Sequence, residues 1–192
     1  QLNVYTWADY FKPELVQLGG RRKVLTVLFS DIRGFTTLSE QIPPERVSDL
    51  LNRYFTEMTQ ILFRFDGTLD KFIGDAILAF FGDPVDQPDH TARGLDCAVT
   101  MQEAAAGLRE RFQAEGLPGL RIGVAVNVGP VVVGNNGSEN NFVYTVIGDT
   151  VNLTSRLQGL AQRDDVILTE ATAAMIPGFE RLYRYERMDP VK

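Results

Sequence analysis

Apolar residues recur along this chain in two rhythms, and each marks a different kind of element. Val24 to Ser30 is a β-rich apolar run that predicts a buried central strand. A short helical segment follows at 36–42, and Pro43-Pro44-Glu45 opens a longer helix with proline in its first turn. In that helix Val47, Leu50, Leu51, Tyr54, Phe55, Met58, Ile61 and Phe65 recur at three- and four-residue spacing, a core-facing stripe that ends at Asp66-Gly67. Residues 68–73 and 76–81 read as two strands joined by Gly74-Asp75, a suitable two-residue hairpin turn.

A second long helix is expected over about 90–115, and a strand over 120–128. Gly129-Pro130 then reads as a turn into Val131-Val132-Val133, the polar stretch 135–141 as a loop, and 142–147 as another strand. Asp149 can cap a helix reaching about Gln162. A strand at 166–169, a short helix at 170–176 and a final strand near 180–187 complete the chain. The order strand, helices, strand, strand, helix, strand is the split βαβ arrangement of an α+β, ferredoxin-like domain. Its sheet is mostly antiparallel, its helices lie on one face, and C-terminal α/β elements are added.

Composition narrows the function classes. The 192 residues are 44% hydrophobic and 23% charged, which suits one globular domain with a sizeable core. A net charge of −6 argues against a general nucleic-acid binder, although a few converging cations would still suffice for a nucleotide. An RNA-recognition domain of similar topology would want a basic sheet face with exposed aromatics. Cys97 is the single cysteine, which excludes an internal disulfide and fits a reducing, cytoplasmic setting. No apolar run reaches the length needed to cross a bilayer. Residues 5–18 form a short amphipathic piece ended by Gly19-Gly20. It reads either as a helix packing on the domain or as the tail of a linker from an upstream regulatory module, with residues 1–20 apart from a domain over 21–192.

Several chemistries are absent. There is neither a G-x-x-x-x-G-K-[ST] phosphate loop nor a G-x-G-x-x-G fingerprint. With His90 the single histidine, at a helix start, a histidine triad or zinc cluster has no material. What remains is carboxylates beside glycines. Asp31 ends the first strand in Phe29-Ser30-Asp31-Ile32-Arg33-Gly34-Phe35-Thr36, and Asp75 sits in the predicted hairpin turn. If the first and third strands are neighbours, the two carboxylates meet at one sheet end and suit a pair of hard divalent ions acting on phosphate. The backbone N–H groups of Gly34, Phe35 and Thr36 would face phosphate oxygens there. Farther on, Asn152 and Arg156 lie four apart near a helix start, on one face. Taken singly, Asp31 also suits a turn cap, Asp75 an ordinary hairpin and Arg156 a free surface arginine.

Together these segments resemble the catalytic domain of class III nucleotidyl cyclases, the adenylate and guanylate cyclase family, over about residues 21–187. The resemblance is carried by Leu28 to Thr36, by Asp70-Lys71-Phe72-Ile73-Gly74-Asp75-Ala76, and by Thr145-Val146-Ile147-Gly148-Asp149-Thr150-Val151-Asn152 with Arg156. It implies that Asp31 and Asp75, with the backbone carbonyl of Ile32, bind two Mg²⁺ or Mn²⁺ ions. It implies that Asn152 orients the ribose and that Arg156 stabilises charge on the α-phosphate. Lys71 and Thr145 would then read the base, and their donor and acceptor favour ATP over GTP. The implied product is cyclic AMP, made in a head-to-tail homodimer whose sites draw residues from both copies. A family arginine that contacts phosphate falls on Gly123 here, leaving Arg121 as the nearest substitute, and a phosphate-binding lysine falls at or beyond Lys192. The competing readings are a guanylate cyclase and a non-catalytic cyclase-like dimerisation or nucleotide-binding domain.

Overall fold

Among the described residues, the apolar stripe of the first long helix packs against the sheet. The computed structural model describes residues 19–138, 141–162 and 164–189. The amphipathic piece at 5–18 and Lys192 lie outside them. The elements run β1 (Gly19–Ile32), α1 (Phe35–Glu40), α2 (Pro44–Arg64), β2 (Thr68–Ile73), β3 (Ala76–Phe81), α3 (His90–Ala114), β4 (Ile122–Ser138), β5 (Asn141–Ile147), α4 (Asp149–Leu160), β6 (Val166–Leu168), α5 (Glu170–Ala174) and α6 (Phe179–Leu182). The strand order is β2-β3-β1-β4-β5, with β6 also on β4. Among the described residues only the β4–β6 pairing is parallel. This is the expected α+β architecture with a mostly antiparallel sheet. Among the described residues no helix is long and apolar enough to cross a membrane.

Helices α2 and α3 cover one sheet face. The stripe Leu50, Tyr54, Met58 and Ile61 packs with Leu28, Ile32, Ile77, Phe81, Ile122, Val124 and Val126. The other face carries a smaller cluster of Leu25, Val27, Phe29, Leu78, Phe80, Val131, Val133 and Val146, flanked by Tyr144 and Val151. That cluster stays dry because the sheet curls until its two outer strands meet. Asp70 on β2 accepts the Val146 N–H of β5 at 3.0 Å, and the Tyr144 hydroxyl donates to the buried Asp83.

Three expectations need correction. First, Gly129-Pro130 is not a turn. β4 runs unbroken past it, pairing with β1 along one edge and with β6 and then β5 along the other. Proline survives inside a strand because its missing N–H falls between the two partners. Side chains cover the gap: Val128 N–H donates to Thr172 Oγ1 at 3.0 Å, and Thr150 Oγ1 donates to Pro130 O at 2.8 Å. Second, the polar stretch from 135 continues β4 to Ser138, opposite β5 from Asn141. Its polarity reflects exposure of 136–138, not loss of the ladder. Third, the C-terminal strand near 180–187 is absent. Gly178, at φ 76, starts the short α6 instead, and Phe179 turns into a cluster with Leu95 and Ile176. At the other end, β1 begins at Gly19 rather than Val24, and Gly148 rather than Asp149 holds the N-cap of α4.

Candidate active site

β1 and β3 pair side by side, Ser30 opposite Ile77, and Ile73 pairs with Ala76 across the Gly74-Asp75 turn. The ends of these strands therefore bring Asp31 and Asp75 together. Asp75 Oδ2 accepts the Ile32 N–H at 3.2 Å. Burial pushes the Asp75 carboxyl up to about 7, and a hydrogen bond to Asp31 together with that residue's charge push the same way. A carboxyl raised in this way beside a second carboxylate is an arrangement that a bound cation would relieve. Among the described residues no group of three or more His, Cys, Asp or Glu side chains is arranged to hold a metal ion. A cation here would take two carboxylates and complete its shell with backbone or substrate oxygens.

Gly34 follows at φ 67, ψ 28 as the N-cap of α1, a conformation that favours glycine. No side chain caps this helix start, so the N–H groups of Phe35 and Thr36 are not used by a cap. Between Asp31 and Gly34 lies Arg33, which sequence reasoning passed over. Its backbone N–H donates to Arg121 O at 2.8 Å, and its Nη2 donates to Gln158 O at 3.0 Å near the end of α4. Its guanidinium lies over Gly123, where an added Cβ would come within 2.6 Å of Nε. The glycine at the position where the resemblance calls for an arginine thus makes room for an arginine from the turn after β1. Arg121 itself is drawn away by Asp164, whose Oδ2 lies 2.5 Å from its Nη1.

α4 is held to the sheet by polar contacts. Its buried residues are Thr150, Thr154 and Gln158. Gln158 Nε2 donates to Gly123 O at 3.2 Å, and Thr150 Oγ1 donates to Pro130 O at 2.8 Å. With that face fixed, Asn152 and Arg156 are turned outward and exposed.

A second polar cluster forms where β2 meets β5. Lys71 Nζ donates to Thr145 Oγ1 at 3.0 Å, and Thr145 Oγ1 donates to Asp70 Oδ2 at 2.7 Å. Thr145 lines a groove of ≈ 200 Å³ with Gly134, Asn136 and Ile147. The structure thus brings Asp31 to Asp75 and Lys71 to Thr145. Among the described residues, no hydrogen bond or ion pair links the carboxylate pair to Lys71, Thr145, Asn152 or Arg156.

His90 belongs to the packing. Its Nδ1 lies 2.7 Å from Thr26 Oγ1, and burial lowers its pKa. Cys97 is buried, which pushes its thiol up to about 12 and leaves it inert.

Comparisons with known proteins bear on the family and the fold. The family model described as "Adenylate and Guanylate cyclase catalytic domain" matches residues 20–192. Adenylate cyclase 1 of Rhizobium meliloti is 35% identical over 167 residues, covering 82% of this chain and 25% of that protein. The adenylate cyclase of Anabaena cylindrica is 35% identical over 153 residues, 77% of this chain and 30% of its own length. The chain therefore spans well under half of these relatives. Among solved structures, the adenylyl cyclase CyaB from P. aeruginosa superposes with a TM-score of 0.79 at 39% identity, over 82% of both chains. The guanylyl cyclase Cya2 gives a TM-score of 0.79 at 40% identity, over 82% of this chain and 80% of that one.

Proposed function

Because the chain belongs to the adenylate and guanylate cyclase catalytic domain family, we propose that it converts ATP to 3′,5′-cyclic AMP and pyrophosphate. In this reaction the ribose 3′-oxygen bonds to the α-phosphorus, the bond to the β-phosphate oxygen breaks, and the 3′-hydroxyl proton leaves. The observation that carries the proposal is the contact between Asp31 and Asp75 at one sheet end. Two crowded carboxylates, one of them raised towards neutrality, are a donor set that a divalent cation fits.

Asp31, Asp75 and the Ile32 carbonyl would hold two Mg²⁺ or Mn²⁺ ions. Bound there, the ions would supply charge neutralisation for the triphosphate and acidify the ribose hydroxyl. The chain's own groups do the positioning. The N–H groups at Gly34, Phe35 and Thr36 face phosphate oxygens, Asn152 holds the ribose, and Arg156 stabilises charge gathering on the α-phosphate. Lys71 and Thr145 read the adenine edge. Arg121 joins the phosphate contacts only by exchanging Asp164 for the substrate.

The separation of the carboxylate pair from Lys71, Thr145, Asn152 and Arg156 within one copy supports a site shared between two copies. Each copy of a head-to-tail homodimer would lend its carboxylates to one site and its base, ribose and phosphate contacts to the other.

Likeness to the guanylyl cyclase Cya2 favours a second reading, GTP as substrate. Against it, guanine offers donors at N1 and its 2-amino group, where the Lys71 ammonium has only donors to give. The test is incubation with Mn²⁺ or Mg²⁺ and either ATP or GTP, with identification of products. Cyclic AMP formed from ATP in preference to GTP is the expected result. No cyclic nucleotide from either substrate, at micromolar protein, would overturn the proposal.

A further inference from the structure

Asp70 and Lys71 are neighbours in sequence, and in a regular strand their side chains would point to opposite faces. In this chain both reach Thr145. The cause is a break in the β2–β3 ladder: Leu69 pairs with Ala79 and Lys71 with Leu78, so Asp70 is an extra residue in a bulge. A bulge re-aims a side chain, and here it turns a carboxylate to the residue beside the lysine.

Asp70 is costly where it lies. Its side chain has no exposed surface, and burying a carboxylate requires partners. Oδ2 accepts two bonds, from Thr145 Oγ1 at 2.7 Å and Val146 N at 3.0 Å. Oδ1 takes no hydrogen bond among the described residues. Lys71 Nζ is 2.8 Å from it, an ion pair outside hydrogen-bond angles.

We propose that Asp70 is the positioning residue for base selection, fixing the Thr145 hydroxyl as an acceptor towards the ligand. A carboxylate cannot donate, so the hydroxyl must give its proton to Asp70. One of its two lone pairs accepts from Lys71. The other remains for a ligand, beside an ammonium that still has a hydrogen to donate. The outward pattern is an acceptor next to a donor. Adenine answers it with the N6 amino group and N1. Guanine offers an acceptor at O6 and a donor at N1, the reverse order, so both contacts become unfavourable. Without the carboxylate the hydroxyl rotates freely and can donate to O6, and discrimination is lost. Asp70 thus deepens the adenylate cyclase proposal, on which it rests.

The experiment compares kcat/KM for ATP and GTP in the wild-type chain, Asp70→Asn, Thr145→Val, Thr145→Ser and the Asp70→Asn/Thr145→Val double variant, with a melting curve for each. In D70N an amide nitrogen at the Oδ2 position would face the Val146 N–H and one at the Oδ1 position would face the Lys71 ammonium, so either placement loosens the hold on the Thr145 hydroxyl. The wild type is expected to favour ATP, and D70N to lower the ATP/GTP ratio by about tenfold or more. T145V should lower it equally, T145S should keep it, and the double variant should fall no further than either single one. A D70N protein that loses activity on both nucleotides in proportion, with its ratio intact, would make Asp70 a structural strut and overturn the inference. If D70N does not fold, T145V decides: retained selectivity means the hydroxyl is not read, and the inference fails. A wild type that prefers GTP, or makes no cyclic product, is a different failure. It removes the choice of ATP, or the activity itself, before any variant is considered.

Discussion

Asp75 carries the largest electrostatic tension among the groups of the site. Its carboxyl is raised from 3.8 to about 7 by burial and by Asp31. A raised acid is protonated in the native state at a pH where the unfolded chain has already ionised. Its contribution to stability is therefore fully present below about pH 4 and lost as pH rises through about 7. Asp75→Asn removes that loss. In the presence of a chelator, its melting temperature is expected to match wild type near pH 4 and to exceed it near pH 8. An equal shift at both pH values, followed by calorimetry, would contradict this assignment of strain. The same substitution should lower cyclase activity by at least about a hundredfold, measured at saturating Mn²⁺. A second residue-scale prediction concerns Gly123. Alanine there would crowd the Arg33 guanidinium and loosen its bond to Gln158, at a cost of about 1–3 kcal/mol in urea unfolding.

Among the elements, the regular pieces were legible and the interrupted ones were not. The α2 stripe at three- and four-residue spacing and the Gly74-Asp75 hairpin were set by local patterning, so Asp31 and Asp75 could be paired from sequence. β4 was misread at Gly129-Pro130 because the signal is local and the remedy is not. The hydroxyls that cover this stretch come from Thr150 and Thr172, 20 and 44 residues away from the groups they serve. The Asp70 bulge was invisible for the same reason, since it exists only relative to β3. Arg33 was passed over because its role depends on an empty space at Gly123. Thr172 offers a direct check of the β4 junction. It is fully buried, and Thr172→Val would leave the Val128 N–H without its acceptor. A loss of about 1–3 kcal/mol with an unchanged denaturant slope is expected. A loss below about 0.5 kcal/mol would mean that β4 does not need this bond.

The whole molecule divides the chemistry. One end of the sheet gathers negative charge at Asp31 and Asp75. Lys71 and Thr145 lie where the curled edges meet, and α4 presents Asn152 and Arg156 outward from a polar underside. A single copy has no described contact that joins these groups, which supports the proposal that the reaction draws on a second copy. Specific activity should accordingly fall on dilution below the dimer dissociation constant and recover on concentration.

The most direct measurement mixes two inactive variants, Asp31→Ala and Arg156→Ala, and assays cyclic AMP formation from ATP. In a heterodimer one site inherits both lesions and the other inherits neither. With random exchange at equal amounts, about a quarter of wild-type activity should return, since half the dimers are mixed and each has one intact site. A mixture that stays inactive, with heterodimers demonstrated by native mass spectrometry, would contradict a site shared between two copies of this chain.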